Sequence, residues 1–340
     1  MKTAVILGMA AVLGFVAEGR AADGDTLAAV KGRDKVICGV NPGLIGFASP
    51  DANGNWTGFD VSFCKAIAAA VLGDPRKVEF RAMSGEDRFS NLAAGEVDLL
   101  SRNTTWTFSR DAELQIEFAG VNYYDGQGFM VSRTLGVSSA KELDGASICI
   151  QTGTTTALNL ADYFRANNMD FQPVNVDSNA EGEQQYLAGA CDAYTTDASG
   201  LAATRATFAN PADHIILPEI ISKEPLGPVV RHGDDNWGDI VRWTLYALIA
   251  AEEYGVTSAN IEELSKSSKN PEVQRLLGSE GELGAMLGLS NDWAKRAIAA
   301  SGNYGEIFAA TIGEQTPIGL ARGLNAQWTQ GGLLYAMPFR

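Results

Sequence analysis

The sequence predicts a two-lobe α/β protein whose lobes are joined by two chain crossings. Short apolar strands alternate with helical segments between residues 35 and 110, and the same alternation repeats between residues 128 and 218. The chain then returns through a second connection near residues 221–229 and continues as a mostly helical tail. Two lobes linked by two strands form a hinge around a cleft, so this organisation favours a molecule that opens and closes.

Length and charge limit what such a chain can do. Its 340 residues suffice for two domains with a sizeable core. The formal net charge is −15. Nucleic acids and anionic membrane surfaces both require basic clusters, so this charge disfavours them as partners.

The first 22 residues have the pattern of a secretory signal peptide. Lys2 provides a positive start, residues 4–17 are apolar, and small residues follow around Ala21 and Ala22. The apolar stretch is short for a membrane span, and no later stretch approaches about 18 uncharged apolar residues. We therefore expect an exported mature protein that is not inserted in the membrane.

The first lobe is predicted to comprise residues 23–124 and, after the return, residues 225–340, which include the helical extension. Asp60 can cap the first helix, because an aspartate there accepts a hydrogen bond from a free backbone amide. The predicted strands are 35–40, 56–59, 77–81 and 97–100, and the predicted helices are 60–71 and 87–94. The residues predicted by helical spacing to face the core are Val61, Phe63, Ile67, Val71, Phe89, Leu92 and Ala93.

The second lobe is predicted to comprise residues 128–218. Residues 214–221 are apolar and are expected to be extended, and a helix at 239–254 follows the return to the first lobe. The predicted strands of the second lobe are 128–132, 146–150, 171–176 and 193–195, and its predicted helices are 156–167 and 181–187.

The four cysteines are expected to form disulfides, because their number is even and the compartment is oxidising. Four cysteines allow three pairings. The pairing of Cys38 with Cys64 and of Cys149 with Cys191 keeps each bridge inside one lobe, and we expect this pairing. No C-x-x-C motif is present, so we expect no zinc or thioredoxin-type site.

Three predicted strands end in polar residues, at 101–110, at 151–156 and at 196–197. Ligand sites of α/β proteins lie at such carboxyl ends, so the three segments are expected to line one cleft. Arg110 offers a fork that matches a carboxylate, and Asp197 offers an anion for an ammonium group. Thr105 can accept from the ammonium and donate to the carboxylate. Together these groups fit a zwitterion, which is the form of an α-amino acid.

The start of the helix after the second strand end is a candidate anion site. Gly153, Thr154 and Thr155 precede the helix, where free backbone N–H groups and the helix dipole attract negative charge. Each candidate also has an ordinary structural alternative. Arg110 could lie on the surface, residues 153–155 could be a plain helix start, and Asp197 could cap the following helix.

Five strings stand out along the chain. They are G-F-D-V at 58–61, L-A-A-G-E-V-D at 92–98, T-x-T-x-x-R at 105–110, Q-T-G-T-T at 151–155 and C-D-A-Y-T-T-D at 191–197. These strings resemble the family-3 solute-binding proteins of ABC transporters, in the group that binds polar amino acids. The resemblance covers about residues 33–250, and longer strings extend it through the helical tail to members that bind L-amino acids generally.

The resemblance implies a type II periplasmic-binding-protein fold that captures an L-amino acid and delivers it to an inner-membrane ABC permease. By position, Arg110 and the backbone of Thr155 would hold the α-carboxylate. Asp197, Thr105 and the carbonyl of Asn103 would hold the α-ammonium group. The mature protein would be periplasmic and is expected to be a monomer.

The resemblance also places Leu44 and Phe47 in the lining of the side-chain pocket, although both residues could equally be ordinary core. Asn41 stands where relatives selective for basic amino acids tend to have an acid, which argues against a narrow cationic specificity. Arg102 could pair with an acidic side chain of the ligand or could be solvated. We therefore expect broad L-amino acid binding, with glutamate and glutamine among the better ligands.

The main alternative is a periplasmic enzyme on the same fold, similar to the cyclohexadienyl or arogenate dehydratases. The sequence offers little for it, because the only histidines are His214 and His232 and neither ends a predicted cleft strand. No H-E-x-x-H, G-x-S-x-G or P-loop motif is present. We expect no enzyme activity, no catalytic residue, no metal and no cofactor.

Overall fold

The computed structural model describes residues 25–340, so the predicted signal peptide at 1–22 lies outside the described residues. The strands of the first half are β1 (Val36–Val40), β2 (Ser49–Pro50), β3 (Trp56–Thr57), β4 (Val78–Ala82), β5 (Leu99–Leu100), β6 (Ile116–Phe118) and β7 (Tyr123–Asp125). Those of the second half are β8 (Gln127–Ser132), β9 (Ser147–Gln151), β10 (Gln172–Val176), β11 (Ala193–Asp197), β12 (His214–Ile216), β13 (Glu224–Leu226) and β14 (Val229–Arg231).

The helices alternate with these strands and then form the tail. The lobes contain α1 (Asp25–Arg33), α2 (Phe59–Leu72), α3 (Asp87–Ala93), α4 (Phe108–Glu113), α5 (Thr156–Ala166), α6 (Asn179–Leu187) and α7 (Ala198–Thr207). The tail contains α8 (Asp235–Glu253), α9 (Ile261–Ser267), α10 (Pro271–Leu276), α11 (Leu283–Met286), α12 (Trp293–Ser301) and α13 (Tyr304–Thr311). Within residues 25–340, no helix combines the length and apolar character needed to cross a membrane.

The strands form two five-stranded sheets, one in each lobe. The first has the order β4-β1-β5-β14-β6 and the second has the order β10-β9-β11-β8-β12. In each sheet the first three strands of this order are parallel to one another, and the last two strands are joined by antiparallel pairs. The strand β14 completes the first sheet only after the chain has built the second one, so the chain crosses between the lobes twice. The predicted two-lobe α/β fold is confirmed.

The two crossings pair with each other and form the hinge. Strand β7 of the first crossing is antiparallel to β13 of the second, with Asp125 opposite Glu224 and Tyr123 opposite Leu226. The sequence predicted an extended segment at residues 214–221 and the second crossing near residues 221–229. In the structure β12 ends at Ile216, and the residues between it and β13 continue without regular strand pairing.

The tail packs on the first lobe and covers helix α2, which is apolar on nearly all sides. A helix that is hydrophobic all round needs partners all round. The buried face of α2 and the apolar faces of α8, α12 and α13 belong to one hydrophobic cluster. The tail also holds the first crossing, because the side-chain amide of Asn325 bonds both the backbone N–H and the carbonyl of Tyr124, at 2.6 and 3.0 Å.

The predicted cap of α2 by Asp60 is wrong. Helix α2 starts at Phe59, and its N-cap is Gly58, which has no side chain to form a cap hydrogen bond. Gly58 has a φ of 133°, and a Cβ atom at this position would lie 2.2 Å from the carbonyl oxygen of Phe47. Glycine is therefore required where the chain turns into the helix, and Asp60 lies inside the first turn, where its carboxylate reaches the cleft loop.

Both expected disulfides are present. Cys38 of β1 is bonded to Cys64 of α2, with Cα atoms 6.2 Å apart, and Cys149 of β9 is bonded to Cys191 before β11, with Cα atoms 5.6 Å apart. Each bridge joins an interior strand of one sheet to a neighbouring segment of the same lobe. The bridges therefore constrain the lobes individually and leave the hinge unconstrained.

Each disulfide is expected to stabilise its own lobe. The closed loops span 26 and 42 residues in sequence, for which chain entropy predicts about 3–4 kcal/mol each. The double variants C38S/C64S and C149S/C191S should each lower the free energy of unfolding by about that amount in urea titrations. A loss below about 1 kcal/mol in either variant would contradict the prediction.

Candidate ligand-binding site

The three polar strand ends meet at the cleft between the lobes. The loop after β5 carries Thr105 and leads into α4 with Arg110, and the loop after β9 leads into α5 through Thr155. Strand β11 ends at Asp197. Thr105 of the first lobe and Thr155 of the second both donate a hydrogen bond to the same carboxylate, that of Glu224 on β13. The structure thus brings the predicted residues Thr105 and Thr155 together at the hinge.

Asp60 holds the loop that follows β5. Its carboxylate accepts hydrogen bonds from Ser101 Oγ at 3.1 Å and from the backbone N–H of Asn103 at 3.2 Å. Burial raises the pKa of Asp60 to about 6, although these hydrogen bonds and the nearby charge of Arg102 act in the opposite direction. Asn103 has a φ of 34°, in the left-handed region. The loop conformation thus depends on a buried carboxylate of α2.

Arg110 is buried at the start of α4 and retains unused donors. One terminal nitrogen donates to the carbonyl oxygen of Thr105 at 2.9 Å, and the guanidinium lies 5.1 Å from the ring centre of Phe89. Its other side-chain N–H groups donate to no group within residues 25–340. Burial lowers the pKa of Arg110, while Glu224 and Asp197 act to raise it. An anionic ligand would supply the missing acceptors.

Arg88 is a cleft residue that the sequence prediction missed. It lies on α3 with 2% of its surface exposed, and its Nε has no hydrogen-bond partner among the described residues. One Nη donates across the cleft to the carbonyl oxygen of Gly153 at 3.5 Å. Arg88 precedes the buried Leu92 by four residues, so the two share one helix face. This spacing was the available signal, although a charged residue is usually expected on the solvent side.

Burial and the neighbouring arginines lower the pKa of Arg88 well below its usual range. Arg102, the predicted partner of an acidic side chain, is also buried, and its Nε donates to the carbonyl oxygen of Met83 at 2.9 Å. Burial lowers the pKa of Arg102 to about 10, with Asp60 acting to raise it. Arg88, Arg102 and Arg110 therefore form a buried cationic cluster in the first lobe.

Asp197 faces this cluster from the second lobe. It occupies the N-cap position of α7 but forms no cap hydrogen bond with its side chain, and only 8% of the residue is exposed. Its carboxylate accepts no hydrogen bond from any group within residues 25–340. Burial raises the pKa of Asp197 well above its usual value, and the charges of Asp125 and Glu224 add to this effect, while Arg88 and Arg110 oppose it. A cationic group placed here would lower the pKa of Asp197 and stabilise its ionised carboxylate.

The turn before α5 is shaped by its own side chains. Thr154 Oγ1 donates to the carbonyl oxygen of Gln151 at 2.7 Å and accepts from the backbone N–H of Thr156 at 3.3 Å. The hydroxyl of Thr154 is therefore used within the turn. Thr155 occupies the N-cap position of α5, and its hydroxyl donates to Glu224 at 3.0 Å.

The predicted lining residues have different surroundings. Leu44 and Phe47 are buried in the main hydrophobic cluster of the first lobe, and the ring of Phe47 packs edge-on against Tyr123 at 5.7 Å. Asn41 instead lies at the cleft, where its Nδ2 donates to Asn103 Oδ1 at 3.2 Å and to Asn179 Oδ1 of the second lobe at 3.4 Å. Their role as lining of the side-chain pocket stays a prediction.

Comparison with known proteins identifies the family. The model of the bacterial extracellular solute-binding proteins, family 3, matches residues 36–260. The chain belongs to this family. The match spans both sheets and both crossings, so the cleft described above lies inside the family domain. Among the described residues there is no cluster of three or more His, Cys, Asp or Glu side chains that could hold a metal ion.

The chain is similar to two family members along almost its whole length. It is 67% identical over 340 residues, all of both chains, to the glutamate/glutamine/aspartate/asparagine-binding protein BztA of Rhodobacter capsulatus. It is 58% identical over 322 residues, 94% of each chain, to the general L-amino acid-binding periplasmic protein AapJ of Rhizobium johnstonii. Both matches extend into the helical tail, whose part after residue 260 lies beyond the family model.

A solved structure has the same fold over nearly the whole chain. It is described as an ABC transporter periplasmic binding protein from Brucella ovis with glutathione bound. The sequence identity is 56%, the TM-score is 0.91, and the match covers 94% of this chain and all of that chain.

The lobes of this family-3 protein are in contact across the cleft, which is therefore closed. Gly153 of the second lobe approaches the backbone of Gly85 and Glu86 in the first lobe. A Cβ atom at Gly153 would lie 2.6 Å from Glu86 Cγ, 2.9 Å from its backbone nitrogen and 2.9 Å from the carbonyl carbon of Gly85. Gly153 also has a φ of 67°. Both the conformation and the closed interface thus favour glycine here.

Gly153→Ala is expected to hinder closure. Gly189→Ala is a matched control, because Gly189 lies in the same lobe with a φ of 74° and no atom within 4 Å of its Cβ position. Both substitutions should cost about 1 kcal/mol of stability through backbone strain. Small-angle X-ray scattering with saturating L-glutamate should show compaction for the wild type and for Gly189→Ala only. If Gly153→Ala compacted as much as the wild type does, the expectation that a side chain at this position hinders closure would be wrong.

Proposed function

We propose that this protein captures L-amino acids of several side-chain classes in the closing cleft and delivers them to an inner-membrane ABC permease. The mature chain is exported to the periplasm in this proposal. The names of the similar proteins from Rhodobacter and Rhizobium support an amino-acid ligand. The extent of those matches supports the same role for this chain, because they include both lobes and the tail.

The observation that carries the proposal is the pair of unmet charges on opposite lobes. Arg110 of the first lobe has guanidinium donors without acceptors, and Asp197 of the second lobe has a buried carboxylate without donors. Leaving either group unpaired in a closed cleft costs several kcal/mol. A zwitterion provides one carboxylate and one ammonium group, and it satisfies both at once.

In this proposal Arg110 holds the α-carboxylate together with backbone N–H groups at the start of α5, which begins after Gly153, Thr154 and Thr155. The helix has 11 residues, so its N-terminal amides and dipole favour an anion. Because Arg110 and α5 belong to different lobes, a ligand gains both sets of contacts only in the closed state. Ligand binding therefore shifts the equilibrium toward closure.

The α-ammonium group is assigned to Asp197, Thr105 and the carbonyl oxygen of Asn103. The three groups come from both lobes, and the left-handed conformation of Asn103 is maintained by Asp60. Asp197 contributes the charge. Thr105 and Asn103 contribute neutral acceptors, so that each ammonium hydrogen can find a partner.

The side chain of the ligand is assigned to the region of Arg88 and Arg102, with Asn41, Leu44 and Phe47 as further lining. A buried cationic cluster favours side chains with carboxylate or carbonyl oxygens, such as those of glutamate, aspartate, glutamine and asparagine. Apolar side chains remain acceptable where water molecules occupy the remaining space and bond the arginines. The glutathione bound by the Brucella ovis protein carries a γ-glutamyl group, which has the same free α-ammonium and α-carboxylate groups.

The enzymatic alternative is less well supported. The similar proteins at 67% and 58% identity are both named as binding proteins. The two histidines do not contribute to the cleft described here. His214 lies on the outer strand β12 and its Nδ1 bonds the hydroxyl of Tyr186 at 2.8 Å, while His232 follows β14.

Calorimetric titration of the refolded mature protein against all twenty amino acids tests the proposed function. We expect binding to several ligand classes, with glutamate and glutamine among the tighter ones. Arg110→Ala should weaken every ligand at least about 100-fold, about 2.7 kcal/mol, because the α-carboxylate is then buried without its partner. Affinities within about threefold of the wild type, under 1 kcal/mol, would exclude this role of Arg110.

Arg88→Met should lower the affinity for some ligands and leave the affinity for others nearly unchanged. Methionine keeps most of the volume of the arginine stem and removes the unpaired donors. The affinity for L-glutamate should fall at least about tenfold, about 1.4 kcal/mol, whereas that for L-alanine should change less than about threefold. Arg81→Met is the control, because Arg81 lies in the same lobe and bonds Glu79 and Glu96 away from the cleft. An equal loss for both ligands would contradict a role in side-chain recognition.

A further inference from the structure

Glu224 lies on the second crossing and was not a predicted site residue. Its strand β13 pairs with β7 of the first crossing, so that Glu224 stands opposite Asp125 in the hinge. Only 1% of Glu224 is exposed to solvent. A carboxylate buried this deeply needs hydrogen-bond donors, because an isolated charge inside a protein is costly.

Glu224 obtains these donors from three separate parts of the chain. Its Oε2 accepts from Thr105 Oγ1 of the first lobe at 2.5 Å and from Thr155 Oγ1 of the second lobe at 3.0 Å. Its Oε1 accepts from Asn159 Nδ2 of the second lobe at 2.5 Å and from Ser222 Oγ of the crossing itself at 2.8 Å. One carboxylate thus connects both lobes to the hinge.

These four hydrogen bonds distinguish Glu224 from Asp197. An ionised carboxylate offers about four lone-pair sites, and four donors occupy those of Glu224. It has no remaining capacity for a ligand. Asp197 accepts no side-chain hydrogen bond within residues 25–340 and remains available. The two acids therefore have different roles, and Glu224 acts through the residues that it binds.

The direction of the hydrogen bonds determines what Thr105 can offer. A hydroxyl group has one proton to donate and two lone pairs that accept. Because the carboxylate of Glu224 only accepts, Thr105 and Thr155 each give their proton to it. The Oγ1 of Thr105 is then left as an acceptor, which suits an ammonium group and does not suit a carboxylate. The earlier expectation that Thr105 also donates to the ligand carboxylate does not fit this arrangement.

We propose that Glu224 is a positioning residue that ties the hydroxyl groups of Thr105 and Thr155 to the hinge and thereby favours the closed cleft. The proposal rests on the amino-acid-binding function proposed above. Oε2 binds both hydroxyls only while the lobes are close, because opening carries one of them away. All atoms of the network belong to the chain, so its formation requires no ligand. A larger closed population raises the apparent affinity in proportion.

Glu224→Gln tests this role with little change in size. The amide nitrogen of Asn159 only donates, so the remaining oxygen of the new glutamine should face Asn159 and its NH₂ group should face the two threonines. The hydroxyls of Thr105 and Thr155 then accept from a neutral amide, so the hydrogen bonds that join the lobes lose their charge-assisted strength, and Thr105 loses its preset direction. We expect a larger radius of gyration by small-angle scattering of the refolded mature chain without ligand, and an unchanged radius with saturating L-glutamate.

Affinity provides the second measurement. Glu224→Gln should weaken L-glutamate at least about tenfold. The loss should be smaller for glutarate, which has both carboxylates and lacks the amino group, because only the ammonium contact depends on the orientation of Thr105. A residue with a merely structural role would weaken both compounds equally. Thr155→Val keeps the carboxylate of Glu224 but removes the hydroxyl that binds it from the second lobe. This variant should also have a larger radius of gyration without ligand.

Glu219→Gln is the matched control, since it removes the same charge from the same connecting segment. Its carboxylate bonds Ser139 and Ala140, both within the second lobe, so radius and affinity should stay at wild-type values. A wild-type radius and a wild-type affinity in Glu224→Gln would overturn the proposal. If the wild type itself bound no amino acid, the proposed function would fail, whereas the scattering comparison without ligand would still test Glu224.

Discussion

The closed cleft depends on the need of buried charges for partners. Arg88 and Arg110 carry positive charge into the interface from the first lobe, and Asp197 carries negative charge from the second. The available hydrogen bonds within residues 25–340 leave donors of the arginines and the acceptors of Asp197 unused. A group in this condition costs several kcal/mol if nothing pairs with it. Because the unmet groups lie on both lobes, a small zwitterion satisfies them only when the lobes are together, which couples recognition to closure.

The hinge is supported from two sides. Strand β13 pairs with the first crossing on the side of the cleft, and the helical tail holds the same crossing from the other side. Asn325 bonds both backbone groups of Tyr124, and the hydroxyl of Tyr304 donates to the carbonyl oxygen of Asn122 at 2.8 Å. The tail therefore does more than cover the apolar surface of α2. It fixes the first crossing to the body of the first lobe, so that movement between the lobes starts from a defined strand pair.

Local patterns predicted much of the fold and part of the cleft. The strand ends at 101–110, 151–156 and 196–197 do converge, because parallel strands present their carboxyl ends on one edge. Arg88 was missed because a charged residue suggests a solvent-facing position, although its spacing to Leu92 placed it on a buried face. Asp60 was assigned to a helix cap because capping is the commonest role of an aspartate before an apolar run. Its actual partners, Ser101 and Asn103, are more than 40 residues away.

The α/β class, the two lobes and the family could be predicted from the sequence alone, because they follow from periodicity, from chain order and from long matching strings. The cysteine pairing was one of three that the sequence allows, and the structure shows the pairing within each lobe. That one carboxylate of Glu224 binds Thr105, Thr155, Asn159 and Ser222 is visible only in the folded chain. Thr105 and Glu224 are separated by 119 positions, and no local pattern records which hydroxyl faces which acid. Such pairings depend on how the two lobes meet at the hinge, and that geometry is a property of the whole chain.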